Sequence, residues 1–251
     1  MTRNQVIMVY PYQGFSGTYV KHAPLGLLYA TSEITKEDYD VDIYDTRVIQ
    51  GDWRPGLQRL INDDTLCVGL SVMSGSPIKH AIAISHFVKS LSPDIPIIWG
   101  GPHASFYPET ILRDEWSVDY VISGYASVSF KNLLDCIKTN REPDSVNGVT
   151  WRDRDVLRSN PDRQESFEHI DYRDIPYHLI EDYSPYGQLD QDKRIFSMYS
   201  ALGCPYQCTF CSSPAQYKPI SGKKWVTLDH NYVVDHVEHV VENYGANYVY
   251  F

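Results

Sequence analysis

The sequence is short of positive charge. Its 22 lysines and arginines stand against 32 acidic residues, a net charge of −10, and the basic residues are scattered along the chain. No basic surface for nucleic acid or anionic lipid is expected. Long apolar runs are missing as well. After Met1-Thr2-Arg3-Asn4-Gln5 the first apolar stretch, Val6 to Tyr10, is too short for a signal peptide or a membrane span, which predicts a cytoplasmic protein. Cysteine is sparse, five in 251 residues. Two of the five, Cys67 and Cys136, lie inside apolar segments and read as buried, inert thiols. The free cysteines suit a reducing compartment.

The other three cysteines are gathered in Gly203-Cys204-Pro205-Tyr206-Gln207-Cys208-Thr209-Phe210-Cys211, directly after the strand-like run Ile195-Phe196-Ser197-Met198-Tyr199-Ser200. Thiolates at this spacing on one tight loop read as a metal site. They can converge on an iron–sulfur cluster, and three of them on a four-iron cluster leave one iron without a protein ligand. An open iron can bind a substrate or cofactor. The competing readings are a zinc knuckle, a disulfide pair or packed thiols. Zinc needs a fourth ligand, and the closest downstream histidine, His230, lies in a helical stretch.

Over the whole sequence the 43% hydrophobic content is ample for a packed core. Strand-like runs at Val6–Tyr10, Val41–Tyr44, Leu66–Ser71, Ile95–Trp99 and Val118–Ile122 alternate with helical patterns. The helices are expected over Pro24–Lys36, near Gly56–Asn62, and over Pro77–Ser90, Pro108–Asp114 and Ser127–Lys138. Such alternation predicts an open, doubly wound parallel sheet of Rossmann-like α/β class, with ligands beyond the carboxyl ends of its strands. Three loops on that edge are rich in small residues: Ser71-Val72-Met73-Ser74-Gly75-Ser76, Gly100-Gly101-Pro102-His103-Ala104-Ser105 and Ser123-Gly124-Tyr125-Ala126-Ser127. Together they point to a pocket that backbone can approach closely.

Residues 146–158 read as a hairpin capping this first domain, and 159–191 as an extended linker crossing the surface. The tyrosines of the linker read as packing groups. Beyond the cysteine loop, Thr227–Tyr244 reads as a helix with Val233, Val234, Val237, Val240 and Val241 on one face and His230, His236 and His239 on a solvated side. Gly245 ends it, and a strand begins at Asn247. Strand, cysteine loop, helix and strand make the opening of a (β/α) barrel. The domains expected are therefore 1–143, a hairpin and linker over 144–190, and 191–251.

At this point the residues resemble a known class. Ser71-Val72-Met73 followed by Gly100-Gly101 is similar to the serine-x-leucine and double-glycine signatures of cobalamin-binding domains, with methionine in place of leucine. Cys204, Cys208 and Cys211 match in full the cysteine motif of radical S-adenosylmethionine (radical SAM) enzymes. The order of both resembles the cobalamin-dependent radical SAM enzymes. The resemblance implies a 4Fe-4S cluster on the three cysteines, with Phe210 near S-adenosylmethionine. It also implies cobalamin against Ser71, Val72, Met73, Ser74, Gly75, Gly100, Gly101, His103, Gly124 and Tyr125. The aspartate-x-histidine-x-x-glycine loop that would ligate cobalt is missing after the first strand, where Pro11-Tyr12-Gln13-Gly14-Phe15-Ser16 stands. Cobalamin is thus expected without a histidine ligand, His22 and His103 being polar loop residues and His103 lining the pocket.

The activity implied is C-methylation of a small-molecule or natural-product substrate, with a flavodoxin or ferredoxin as electron donor. Radical cyclisation or rearrangement is the alternative within the class, and a non-catalytic cobalamin-binding module with a structural cluster the alternative outside it. A whole barrel needs more strands than 191–251 supplies, so the sequence reads as the amino-terminal part of a longer enzyme, inactive by itself.

Overall fold

A computed structural model describes residues 3–14, 22–154, 156–162, 167, 169–186 and 193–251. The first unit runs β1 (Gln5–Tyr10), α1 (Leu25–Thr31), β2 (Asp40–Asp45), α2 (Arg54–Leu60), β3 (Thr65–Ser71), α3 (Ser76–Leu91), β4 (Ile97–Gly100), α4 (Pro102–Phe106), α5 (Pro108–Asp114), β5 (Tyr120–Ile122), α6 (Ser127–Lys138), β6 (Val149–Asp153) and β7 (Val156–Ser159). Its seven strands are ordered β2-β1-β3-β4-β5-β6-β7. The pairs from β2 to β5 are parallel, so the doubly wound sheet expected from the sequence is present. Strand order reverses between β1 and β3, which opens a crevice at their carboxyl ends.

Successive side chains in β1 enter opposite layers, which is why its apolar run is continuous. Ile7 and Val9 pack under α2, α3 and α5 with Leu57, Ala81, Ile84, Val88, Leu112 and Trp99. Val6 and Met8 pack under α1 and α6 with Leu27, Phe130, Leu133 and Leu134. Cys67 is fully buried in that second layer, and desolvation pushes its thiol pKa up, as an inert core thiol requires.

The second unit begins with β8 (Ile195–Ser197) and β9 (Ala201–Gly203). It continues through α7 (Ser213–Gln216), β10 (Trp225–Thr227), α8 (His230–Tyr244) and β11 (Tyr248–Tyr250). β11 lies parallel to β8 in a β/α/β unit, while β9 and β10 form a small antiparallel pair. α8 starts where the Asp229 carboxylate accepts from the backbone N–H groups of Asn231 and Tyr232, and stops at Gly245 with φ +66°.

Four expectations are corrected. The helix from Pro24 ends at Thr31, followed by a 3-10 turn at Ile34–Lys36. The Thr31, Ser32 and Thr35 hydroxyls bond back to carbonyls three and four residues earlier and compete with the helical ladder. The hairpin does not cap the first unit: β6 pairs antiparallel with β5 and extends the sheet.

The stretch 159–191 is only partly described, but its described portion is no surface linker. Ile170, Ile175, Tyr177, Ile180, Tyr183 and Tyr186 are buried in one core with Phe196, Met198 and Val240. On α8 the buried residues are His236 and Val240, whereas Val234 and Val241 are 52% and 45% exposed. Tyr177 and Tyr172 supply the reason, the first placing its hydroxyl 3.0 Å from His236 Nε2 and the second stacking on the imidazole at 5.2 Å. His230 is exposed and His239 half-buried.

Candidate functional site

A cavity of about 250 Å³ lies at the carboxyl ends of β3, β4 and β5, between the sheet and helices α1 and α6. Ser71, Gly100, Gly101, Gly124 and Tyr125 line it, five of the ten residues implied as cobalamin contacts. Gly101 has φ +89°, and a Cβ there would stand 2.9 Å from the backbone nitrogen of Val72. Only glycine fits. A Cβ on Gly26 would meet nothing within 4 Å, and one on Gly100 only the Ile122 carbonyl at 3.9 Å, so bare backbone borders this space.

The remaining five implied contacts frame the cavity rather than line it. Val72 is fully buried. Its backbone N–H donates to the Gly100 carbonyl and its carbonyl accepts from the His103 N–H, which ties the two loops together. Met73, Ser74 and Gly75 are exposed at the rim. The His103 ring lies 3.1 Å from Ser74 Oγ rather than in the cavity lining, and burial lowers its pKa.

Residues outside the ten implied cobalamin contacts complete the wall. Ser127 opens α6, lines the cavity and buries its Oγ without a hydrogen-bond partner. A hydroxyl at a helix start was the available signal, and it reads equally as an ordinary cap. Tyr199, Leu202 and Gln216 come from the second unit, one each from the β8–β9 connection, β9 and α7. No local pattern announces them, because only the docking of the two units brings them here. Tyr199 also meets Tyr29 of α1 edge to face at 5.5 Å.

The cysteine loop leaves β9 immediately beside this wall. Gly203 ends the strand with φ +82°, and the Cys204 N–H donates to the Lys224 carbonyl at the far end of the excursion. Cys204 is half-buried, while Cys208 and Cys211 are exposed, and all three thiols are free. A backbone bond from the Cys211 N–H to the Cys208 carbonyl tightens the turn between them. The N–H of Ser213 approaches Cys211 Sγ at 3.4 Å, and hydrogen bonding from Ser213 draws this thiol's pKa below its ordinary value. Phe210, beside Cys211, is 92% exposed.

Sheet, cavity and cysteine loop together have the fold of solved cobalamin-dependent radical SAM enzymes. Residues 18–134 match the family model of the B12 binding domain. Over 230 residues the chain is 27% identical to an uncharacterised methyltransferase of Pyrococcus horikoshii, covering 91% of this chain and 48% of that protein. It is also 27% identical to the anaerobic magnesium-protoporphyrin IX monomethyl ester cyclase of Rubrivivax gelatinosus, over 64% of this chain and 28% of that one. The solved structure of the radical S-adenosylmethionine methyltransferase TsrM from Kitasatospora setae, with cobalamin and a 4Fe-4S cluster bound, matches with a TM-score of 0.72 and 18% identity. That match covers 96% of this chain and 46% of TsrM. The chain thus spans about half or less of each relative's length.

The residues present fit such cofactors in their chemistry. For cobalamin the fit lies in the glycine-bordered cavity and the orphaned Ser127 hydroxyl, a donor with nothing else to bond. For an iron–sulfur cluster it lies in three free thiols on one short loop. Among the described residues no three histidine, cysteine or acidic side chains are drawn together tightly enough to hold a metal ion, so the loop carries its three thiols without clustering them. Among the described residues, also, no helix is long and apolar enough to cross a membrane.

Proposed function

We propose that this chain carries the cobalamin-binding and cluster-binding parts of a radical methyltransferase acting on carbon in a small-molecule substrate. One observation carries the reading. The cavity at the carboxyl edge of the sheet is closed by Tyr199, Leu202 and Gln216, which flank the cysteine loop on both sides, so one space adjoins both candidate cofactor sites. The organisation follows 1–143 for the cobalamin unit, 144–190 for the connection, whose 149–159 hairpin adds two strands to that unit's sheet, and 191–251 for the start of the barrel.

In this reading Cys204, Cys208 and Cys211 hold the cluster, and Phe210 lies against S-adenosylmethionine. Ser71, Gly100, Gly101, Gly124 and Tyr125, joined by Ser127, hold the enclosed part of cobalamin, with the Met73 to Gly75 rim and His103 at the open mouth. When bound, the cluster with S-adenosylmethionine supplies a carbon-centred radical, and methylcobalamin supplies the methyl group. The protein's own groups orient both and exclude water: Tyr29, Tyr199 and Leu202 make the wall between the sites apolar and aromatic. No histidine of the first-strand loop is required as a cobalt ligand. An external reductant of the flavodoxin or ferredoxin kind would supply the electron.

Anaerobic reconstitution tests the assignment directly. The wild type is expected to take up four irons and one cobalamin per chain, and Cys208→Ala to lose the cluster while keeping cobalamin. Retention of the cluster by Cys208→Ala would overturn the ligand set. Ring formation is a second reading, favoured by the match to the cyclase. Product mass in the whole protein separates the two, methylation adding one CH₂ and cyclisation none.

A further inference from the structure

His22 precedes α1 in the first unit, yet its ring rests on the second. Its Nδ1 lies 2.9 Å from Ser197 Oγ, and its imidazole packs against the Tyr250 ring, tilted by 36° with centroids 4.8 Å apart. Ser197 and Tyr250 are the last residues of β8 and β11 and are register partners in that parallel pair. The ring therefore touches the carboxyl ends of both strands, the face on which a (β/α) barrel builds its site. It is also the face from which the chain runs into the cysteine loop.

The backbone of His22 is held from the opposite side. The Arg47 guanidinium, just past β2, donates to the His22 carbonyl at 3.2 Å. The same group donates to both carboxylate oxygens of Asp45 at 2.8 and 2.6 Å and lies 3.9 Å over the Tyr10 ring at the end of β1. Asp45 in turn accepts from the Tyr186 hydroxyl at 3.0 Å. Both members of the Asp45–Arg47 pair are nearly buried, so the support is firm where the His22 carbonyl meets it.

We propose that His22 is a positioning residue of the reaction site, fixing the carboxyl ends of β8 and β11, and with them the cysteine loop, against the sheet edge that borders the cavity. This rests on the function proposed above. The role is geometric: the two candidate cofactor sites lie on different units, and transfer between them tolerates little variation in their separation. Arg47 sets the His22 backbone, and His22 sets the barrel strands.

Two measurements decide it. In the protein without added cofactors, His22→Ala and Ser197→Ala should each accelerate amide exchange of residues 195–198 and 248–250 roughly tenfold, leaving β3 and β4 unchanged. Unchanged exchange at β8 and β11 in both variants overturns the proposal, whatever the cofactors do. In protein loaded with cluster and cob(II)alamin, the reduced cluster should enhance the electron-spin relaxation of cob(II)alamin by a single value in the wild type. His22→Ala should give a weaker and more dispersed enhancement at unaltered iron and cobalamin content, and His22→Gln, which can still bond Ser197, a partial return. Full loading with identical relaxation in all three also overturns it. Failure of the wild type to take up either cofactor refutes the functional reading alone, since the exchange experiment still decides for His22.

Discussion

Gly101 and Gly100 are neighbours with opposite constraints, and replacing each by alanine separates backbone strain from cavity shape. Gly101 has φ +89° and ψ −177°, a region open essentially to glycine, and occupying it with a side chain costs about 1–3 kcal/mol. Contact adds to this. A Cβ there would lie 2.9 Å from the Val72 nitrogen, 3.1 Å from its carbonyl oxygen and 3.0 Å from Ser71 Oγ. Val72 cannot retreat, because its N–H donates to Gly100 O at 2.8 Å and its carbonyl accepts from the His103 N–H at 3.0 Å. Gly101→Ala is therefore expected to lose about 2–4 kcal/mol, the range of substitutions that break a special backbone conformation. At Gly100 the nearest atom to a Cβ is Ile122 O at 3.9 Å and the backbone is ordinary strand, so Gly100→Ala should stay within about 1 kcal/mol of the wild type. Urea denaturation followed by tryptophan fluorescence measures both, since Trp99 is buried next to the pair. Gly101→Ala within about 0.5 kcal/mol of the wild type, a change typical of an unconstrained surface site, would refute the reasoning, as would equal losses at the two positions.

His236 gives a pH signature. Burial holds its pKa down to about 4, so between the ordinary histidine value of 6.5 and that value the unfolded chain binds a proton that the folded chain refuses. Stability should accordingly be full above the unfolded value and fall as pH drops through this window, by up to about 3 kcal/mol. His236→Gln, whose amide can still hydrogen-bond the Tyr177 hydroxyl, should flatten that part of the profile in denaturant titrations at stepped pH; an unaltered slope contradicts the assignment. Leu28→Ala removes a fully buried side chain and should cost about 2–5 kcal/mol. Its cavity opens among Phe196, Met198 and Val240, so amide exchange should rise in α8 despite the mutation's place in the first unit, and an effect confined to α1 would disprove the packing.

The buried strands were readable because parallel strands covered on both faces keep continuous apolar runs, and the bounds of α5 and α6 follow from the sequence for the same periodic reason. α4 was not, since a five-residue helix that starts within the Gly100–Ser105 loop and ends at Phe106 has no room for periodicity. The cysteine spacing and the glycine loops were local and visible. What closes the site was not. Tyr199, Leu202 and Gln216 reach the cavity through long-range docking, and the burial of Tyr177 and His236 depends on each finding the other across 59 positions. Valine outranked histidine in the reading of α8 because hydrophobicity alone does not register a hydrogen-bond partner.

Leu27 and Leu28 are consecutive in α1, about 100° apart around its axis, and both are fully buried, one in the core beneath the sheet and the other in the core around α8. The division of the sequence into an early and a late module is therefore not a division of the folded matter. As the chain is synthesised, α1 emerges with Leu28 uncovered and stays so until Phe196, Met198 and Val240 have followed it out. In evolution the same pair acts as a coupling clause. A cobalamin module with this helix cannot be traded for another by recombination at the connection unless the newcomer brings a side chain that fits the hollow Leu28 fills.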